Sequence, residues 1–253
     1  MKTIKWFFII GSISLFFRCE SLQPIVNEVI SETHPTNQLT ESEVINGLKE
    51  ALNIGTKNAV NLVSKTDGFY KDEDIKILLP PEANVIYDNK DRAAFKAIGI
   101  SQLIDDLILR LNRSAENASV KASEIFINAI KSMSIQDAFA ILNGPDNAAT
   151  AYFRKTTYLA LNQAFSPVVK QVLDQPIVAN ISSNNAWSNL VNPYNKIAKF
   201  SSDLPQVEAD LTQYVTQKTI DGLFSKIELE EKAIRKDPLA RVTDLLKKVF
   251  GSH

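Results

Sequence analysis

Asn112 and Glu116 are the two side chains whose types and spacing first suggest chemistry. They lie four residues apart in the segment LNRSAENA, and residues i and i+4 of a helix project from the same face. An amide oxygen and a carboxylate on one face are hard ligands that suit Mg²⁺ or Ca²⁺. Together with Asp137 or Asp146 they would form the site of a metal-dependent hydrolase. The alternative interpretation is that both side chains hydrogen-bond neighbouring backbone.

Asp146 and Thr150 suggest a different kind of site, at a junction between a loop and a helix. Thr150, Arg154 and Lys155 lie within the first turns of the helix that follows Asp146. A helix N-terminus can bind an anion because its first N–H groups have no partner inside the helix and its dipole is positive there. Capping residues and solvated charges are the ordinary alternative.

The inventory of residue types restricts the possible reactions. The histidines are His34 and His253 and the single cysteine is Cys19, so residues 40–252 contain neither type. Ser-His-Asp and Cys-His catalysis, imidazole bases and zinc sites of Cys or His are therefore excluded within that stretch. The 28 basic residues nearly balance the 29 acidic ones, which gives no reason to expect nucleic acid as a partner. We assign no catalytic residue, no metal and no cofactor.

A stripe of small side chains runs along the first predicted helix of the domain. Gly47, Ala51, Gly55 and Ala59 recur at every fourth position, so on a helix they form one continuous line. Another backbone can approach such a line closely, and the stripe predicts helix packing inside the domain. A groove for an apolar ligand such as a lipid is the alternative.

The amino terminus has the pattern of an export signal. A basic start precedes the apolar run 6–17, and a helix of that length spans about 18 Å against the roughly 30 Å of a hydrocarbon core. Residues 1–21 are therefore predicted to be a signal peptide. Cys19 follows the run closely and is a candidate lipidation site, which would hold the protein at a membrane. Ordinary cleavage after Ser21 is the alternative.

The elements that must position these residues are mostly helices. Residues 22–39 are polar, contain two prolines and predict a tether, and residues 40–253 predict a single helical domain. The fold class is all-α, a compact multi-helix bundle with at most one short β segment or hairpin near residues 69–79. The hydrophobic periodicity predicts helices over 40–63, 82–97, 101–118, 120–132, 134–143, 146–173, 187–200, 205–236 and 237–250.

Local signals fix several of these boundaries. Thr40 with Glu43, and Ser134 with Asp137, have the spacing of helix N-caps. Pro167 is expected to kink or divide its helix, and Pro193 to interrupt the next one. The last helix should start at Asp237 and dock on the domain through an apolar stripe: Val242, Leu245, Leu246, Val249 and Phe250.

Several segments together resemble the bacterial family catalogued as domain of unknown function 4197. They are GLKEALNIGTKNAV at 47–60, DGFY at 67–70, IKILLPPEA at 75–83, LNRSAENA at 111–118, FINAIKSMSIQDAFAIL at 126–142, YVTQKTIDGLF at 214–224 and EEKAIRKDPLARVTDLLKKVFG at 230–251. The resemblance implies an exported, often lipid-anchored helical protein with no established activity, and it favours lipidation at Cys19.

These observations predict a periplasmic protein, anchored to a membrane as a lipoprotein, that acts as a non-enzymatic binding or structural module of the cell envelope. The expected partner is an envelope protein or a small apolar ligand, with membrane contact only through the lipid anchor. A carrier of an apolar ligand and a carboxylate-based metal hydrolase are the alternative functions.

Overall fold

The first helix of the domain begins at the predicted capping box. The computed structural model describes residues 40–84, 93, 97, 100–178, 181–200, 206 and 210–251. The Thr40 hydroxyl accepts a hydrogen bond from the Glu43 N–H (3.2 Å), and the Glu43 carboxylate accepts one from the Thr40 N–H (2.8 Å). Helix α1 therefore runs over Glu41–Ser64, with two of its otherwise unpaired N–H groups satisfied.

The predicted all-α fold is confirmed. After α1 the described residues form α2 (Ile100–Ser119), α3 (Ala122–Ser132), α4 (Ile135–Leu142), α5 (Ala148–Leu173), α6 (Ser183–Ala198), α7 (Leu211–Lys236) and α8 (Asp244–Gly251). Two 3-10 turns, Pro81–Ala83 and Pro238–Ala240, separate some of them. The capping box of Ser134 and Asp137 is present at the start of α4, as predicted.

A short hairpin lies elsewhere than the β segment predicted near residues 69–79. Strands β1 (Pro176–Val178) and β2 (Ile181–Ser182) pair antiparallel, in the connection before α6. Residues 75–79 form no strand. In the middle of this segment the backbone of Ile77 is paired instead with a side-chain amide, that of Asn112.

The two prolines neither divide nor end their helices. Pro167 lies inside α5, and Pro193 lies inside α6. In α5 Phe165, two residues before the proline, and Val169, two residues after it, are fully buried. Their packing against the core outweighs the loss of one backbone hydrogen bond, so tertiary contacts override the local signal.

Several sequence predictions fall outside the described residues. These are the signal peptide (1–21), the lipidation site Cys19, the tether (22–39), most of the predicted helix 82–97 and the helix start at Pro205. Helix α7 begins at Leu211, where the Asp210 side chain accepts from the Thr212 N–H.

The core lies where α1, α2, α3, α5 and α7 meet. Helix α7 packs along α5 and α1, α2 packs along α5, and α3 contacts both α1 and α5. The Phe126 ring meets Phe153 and Phe224 edge-on, with centroids 5.2 Å and 6.2 Å apart. Burial of these apolar faces is the main stabilising contribution.

The end of the chain differs from the single predicted helix. The Asp237 carboxylate accepts from the Leu239 N–H (2.9 Å), and after the turn Pro238–Ala240 helix α8 starts only at Asp244. Leu246, Val249 and Phe250 are buried and α8 packs on α1, so the predicted docking on the domain is confirmed. Val242 is exposed, and its assignment to the apolar stripe is wrong.

No single helix in the described part of the chain has both the length and the apolar character needed to cross a membrane. One pair, Ser101–Ser132 with Ile135–Leu142, meets that criterion only together, and it is bent by 106°.

Candidate functional site

Asn112 forms two hydrogen bonds with one residue of the extended segment. Its Oδ1 accepts from the Ile77 N–H (2.9 Å), and its Nδ2 donates to the Ile77 carbonyl (2.8 Å). The same Nδ2 also donates to the Ile108 carbonyl one turn back on α2 (2.8 Å). The side chain is fully buried, so it satisfies backbone groups that water cannot reach.

Glu116, one turn further along α2, holds the start of the same loop. Its Oε1 accepts from the N–H groups of Phe69 (3.1 Å) and Tyr70 (3.2 Å), and its Oε2 accepts from Arg113 Nη1 (2.6 Å). Arg113 Nη2 in turn donates to Asp67 (2.6 Å). We call Asn112, Arg113 and Glu116, with the backbone that they bind, the loop clamp.

The loop that the clamp holds begins at a residue with an unusual backbone conformation. Asp67 has φ 68°, the left-handed region that L-residues seldom adopt. Hydrogen bonds from Lys71 and Arg113 favour its charged form and lower the pKa of its carboxyl group below the ordinary value. Next to it, a side chain on Gly68 would approach the Leu62 carbonyl oxygen to 2.5 Å, so only glycine fits this turn.

Two residues of α7 complete the attachment of the loop. A Cβ on Gly222 would lie 2.7 Å from Phe69 Cε1, so the missing side chain makes room for the buried Phe69 ring. Lys226, which is itself buried, donates to Asp72 at 2.7 Å. The loop is thus fixed to α2 by polar contacts and to α7 by packing and an ion pair.

The other proposed ligands do not join Asn112 and Glu116. Asp137 accepts from the Ser134 N–H and hydroxyl in the capping box of α4, and these bonds lower the pKa of its carboxyl group. Asp146 forms an ion pair with Lys236, which lowers the pKa of that carboxyl group. The described residues contain no group of three or more His, Cys, Asp or Glu arranged to hold a metal ion.

Thr150 does lie at an anion-binding helix N-terminus, and the anion belongs to the chain itself. Glu231 on α7 accepts from the Ala149 N–H, the Thr150 N–H and the Thr150 hydroxyl, each at 2.9 Å. The carboxylate therefore occupies the position where an external anion would bind at the start of α5.

Arg235 pairs with Glu231 and satisfies the end of another helix. Its Nη2 donates to Glu231 Oε1 (3.0 Å) and to the Ile141 carbonyl at the end of α4 (2.8 Å). Both side chains are largely buried. We call Glu231 and Arg235, with the helix ends that they bind, the helix-end clamp, because it joins α4, α5 and α7.

The stripe of small side chains is used for helix packing, not as an open groove. All four of its members, Gly47, Ala51, Gly55 and Ala59, are buried. A Cβ on Gly47 would lie 2.6 Å from Val249 Cγ2 on α8. Beside Ala51 and Gly55 there remains a cavity of about 30 Å³, which has room for about one water molecule and not for a lipid.

A larger groove of about 400 Å³ lies between the extended segment and α7. One wall is formed by residues 74–79, where Asn112 of the loop clamp holds the backbone of Ile77. The other is formed by the Tyr214, Lys218, Asp221, Gly222 and Ser225 positions of α7. The groove combines apolar surface with charges of both signs.

Sequence reasoning missed the helix-end clamp and the Lys226 ion pair. Glu231 and Arg235 have the i, i+4 spacing of a helix surface pair, so the pattern gave no reason to place them inside. Their partners at residues 141–150 are distant in the sequence. The spacing of residues along the sequence does not predict contacts between such distant residues.

The chain was compared with protein families, curated proteins and solved structures. A family model described as "Protein of unknown function (DUF4197)" matches residues 38–251. No curated protein and no solved structure matches the chain.

Proposed function

The chain belongs to the DUF4197 family of proteins of unknown function, and we propose that it is a non-enzymatic binding module of the cell envelope. The groove between residues 74–79 and α7 is its contact surface. An envelope protein is the proposed partner. The leader pattern and Cys19 support export and a membrane anchor.

The observation that carries this proposal is the use made of the buried polar side chains. Asn112 and Glu116 bind backbone of the 67–79 loop, and Glu231 binds the start of α5. A catalytic group needs a lone pair or a proton that is free to act on a substrate. The polar atoms of these three side chains hydrogen-bond peptide groups instead. Their chemistry supports a rigid scaffold.

A rigid scaffold favours recognition through the groove. Ordering a flexible loop on binding reduces affinity, and a loop that is already fixed avoids that loss. Within residues 74–79, Asn112 binds the backbone of Ile77, Lys226 lies 3.5 Å from the Asp74 carboxylate, and the Tyr214 hydroxyl donates to the Leu78 carbonyl (3.3 Å). The groove therefore offers a preformed surface of mixed polarity.

No specific observation favours either alternative function, a carrier of an apolar ligand or a metal-dependent hydrolase. A carrier needs a cavity of several hundred Å³ in an apolar setting, and the space beside the small-residue stripe is about 30 Å³. A metal hydrolase needs convergent ligands, and Asn112, Asp137 and Asp146 bond to three different parts of the fold.

The proposal is tested by photo-crosslinking of the full chain in living cells. A photoreactive residue replaces Leu78 at the groove, and a second strain carries it at Ile127 on α3. These positions form a matched pair because their side chains are 40% and 41% exposed. We expect a discrete protein adduct from position 78 that is absent from position 127.

The second part of the crosslinking experiment uses Lys218→Glu, since Lys218 lines the groove and is exposed. It should weaken the adduct at position 78 without changing the melting temperature. Identical adducts from positions 78 and 127, or no adduct at position 78, would contradict the groove as the contact surface.

A further inference from the structure

The two edges of the extended segment have different partners. At Ile77 the N–H and the carbonyl both bond to Asn112 of α2. In extended backbone the peptide groups of successive residues point to opposite edges, so those of Lys76 and Leu78 point away from α2. The side chains alternate as well, since Ile77 is buried and Leu78 is exposed.

The edge that points away from α2 faces the groove. Tyr214 of α7, which lines the groove, donates its hydroxyl hydrogen to the Leu78 carbonyl (3.3 Å). The Lys76 N–H donates to the Asp72 carbonyl within the loop (2.8 Å). The Lys76 carbonyl and the Leu78 N–H have no hydrogen-bond partner among the described residues. One main-chain acceptor and one main-chain donor are therefore left at this edge of the groove.

These two groups have the spacing of a β-ladder. In a parallel pair, one residue donates its N–H to the carbonyl before the opposite residue and accepts from the N–H after it. The Lys76 carbonyl and the Leu78 N–H stand in this relation to Ile77. The groove volume of about 400 Å³ lies within the roughly 300–1,000 Å³ of ligand pockets, which suits a short peptide segment and not a folded domain.

The charges that line the groove do not select an ionic ligand. Two lysines, Lys76 and Lys218, and two aspartates, Asp74 and Asp221, line it, so its formal charge is balanced. That balance favours neither an anion such as phosphate nor a metal cation. A peptide main chain carries a donor and an acceptor at each residue, and it complements the unpaired groups of the extended segment.

We propose that the partner binds the groove through an extended segment of its own chain, which pairs main chain to main chain with Lys76 and Leu78. Strand addition of this kind takes its affinity from main-chain hydrogen bonds and its specificity from alternate side chains. The Leu78 side chain, 40% exposed, supplies an apolar contact beside the pairing. The inference rests on the proposed function, because the segment belongs to the envelope protein proposed there.

The test removes the Leu78 N–H from the full chain in living cells while a photoreactive residue at position 225 reports on the groove. Ser225 lines the groove and is exposed, so position 78 is left free for substitution. Leu78→Pro removes the N–H, and proline is compatible with the extended backbone of the residue before it. Leu78→Ala is the matched control, because it shortens the same side chain and keeps the N–H.

We expect a discrete protein adduct from position 225. Leu78→Pro should weaken it about tenfold, because a hydrogen bond is lost and the ring occupies its place. Leu78→Ala should keep most of the adduct, and the melting temperature should be unchanged in both variants. Equal adduct yields from the two variants would overturn pairing through the main chain, whether both keep the adduct or both lose it.

Mapping of the adducts decides the question if Leu78→Pro lowers the melting temperature. Mass spectrometry identifies the partner residues that react with photoreactive residues placed separately at positions 78 and 225. An extended segment predicts that both positions react within one short run of the partner's sequence. Reaction at sites distant in the partner's sequence would overturn the proposal and leave the groove as the contact surface.

Two other outcomes concern the occupant. Adducts with a second copy of this chain would overturn the proposal by identifying a different occupant. Absence of an adduct at both positions would contradict the groove as a contact surface, and the proposed function would fall with it.

Discussion

At position 112 an amide does what neither a carboxylate nor an alkyl group can do, because it both donates to and accepts from the same residue of the loop. Its two bonds with Ile77 take the place of a neighbouring strand. The spacing of Asn112 and Glu116 indicated a shared direction, and the structure confirms that both side chains point at the 67–79 loop. Whether the two side chains bind a metal ion or hydrogen-bond the backbone depends on residues far away in the sequence.

The first prediction concerns this amide. Asn112→Asp has nearly the same shape, but one carboxylate oxygen would face the carbonyls of Ile77 and Ile108 where Nδ2 now donates. We expect unfolding in urea to show a loss of about 2–3 kcal/mol, since a buried pair of acceptors is left unsatisfied. Asn53→Asp, on the exposed face of α1, is the control and should cost less than about 0.5 kcal/mol.

The same experiment with Mg²⁺ or Ca²⁺ distinguishes the two interpretations of the pair. A second carboxylate beside Glu116 would strengthen any cation site. Recovery of stability in Asn112→Asp on addition of either ion would contradict a purely structural role.

A second prediction at this scale concerns pH. Lys71 and Arg113 lower the pKa of Asp67 in the folded protein, so its contribution to stability is present above the unfolded pKa of about 3.9. It is lost as the pH falls through the lowered folded pKa. We expect the unfolding free energy to fall on acidification below about pH 4, and to fall less in Asp67→Asn.

Asparagine is the suitable replacement because it tolerates the left-handed backbone of position 67. Glu73→Gln in the same loop is the control, since Glu73 is exposed and has no hydrogen-bond partner among the described residues. Equal acid profiles for Asp67→Asn and the wild-type chain, measured by urea unfolding, would refute this assignment.

At the scale of the elements, boundaries set by neighbouring residues were predictable. The capping boxes at Thr40 and Ser134 involve partners three residues away, and both helix starts are confirmed. Pro167 was misjudged because the packing of Phe165 and Val169 on the core is a tertiary contact. The break between Ala240 and Asp244 was missed for a similar reason, since it depends on Arg241 folding back on α7.

Two helical glycines provide the prediction at this scale. Gly222→Ala would place a Cβ 2.7 Å from the Phe69 ring, whereas Gly55→Ala would place one 3.6 Å from its nearest neighbours, Glu230 and Ile234. Alanine favours a helix by about 1 kcal/mol over glycine. We therefore expect Gly55→Ala to raise stability and Gly222→Ala to lower it by about 1–3 kcal/mol through overpacking.

Thermal unfolding of the two variants beside the wild-type chain gives the comparison. If both substitutions stabilise the protein, the Phe69 ring does not fill the space at Gly222. In that case the packing of the loop on α7 would have to be described differently.

At the scale of the whole molecule, we propose that a leader and a tether precede the folded domain. The domain is a helical bundle in which the buried side chains of Asn112, Glu116 and Glu231 bind its own backbone, and its groove is the surface proposed for contact with a partner. Fold class followed from composition and periodicity, because both are distributed along the chain. The proposed contact surface could not be predicted in this way, because it depends on how the loop clamp holds the 67–79 loop in place.

The proposed contact with an envelope protein depends on export and anchoring of the chain. The direct measurement is the intact mass of the chain purified from the membrane fraction of cells that express it from Met1. We expect a product that begins at Cys19 and carries the added mass of acyl chains, and a Cys19→Ser variant that lacks this mass. A cytosolic product that still begins at Met1 would contradict it.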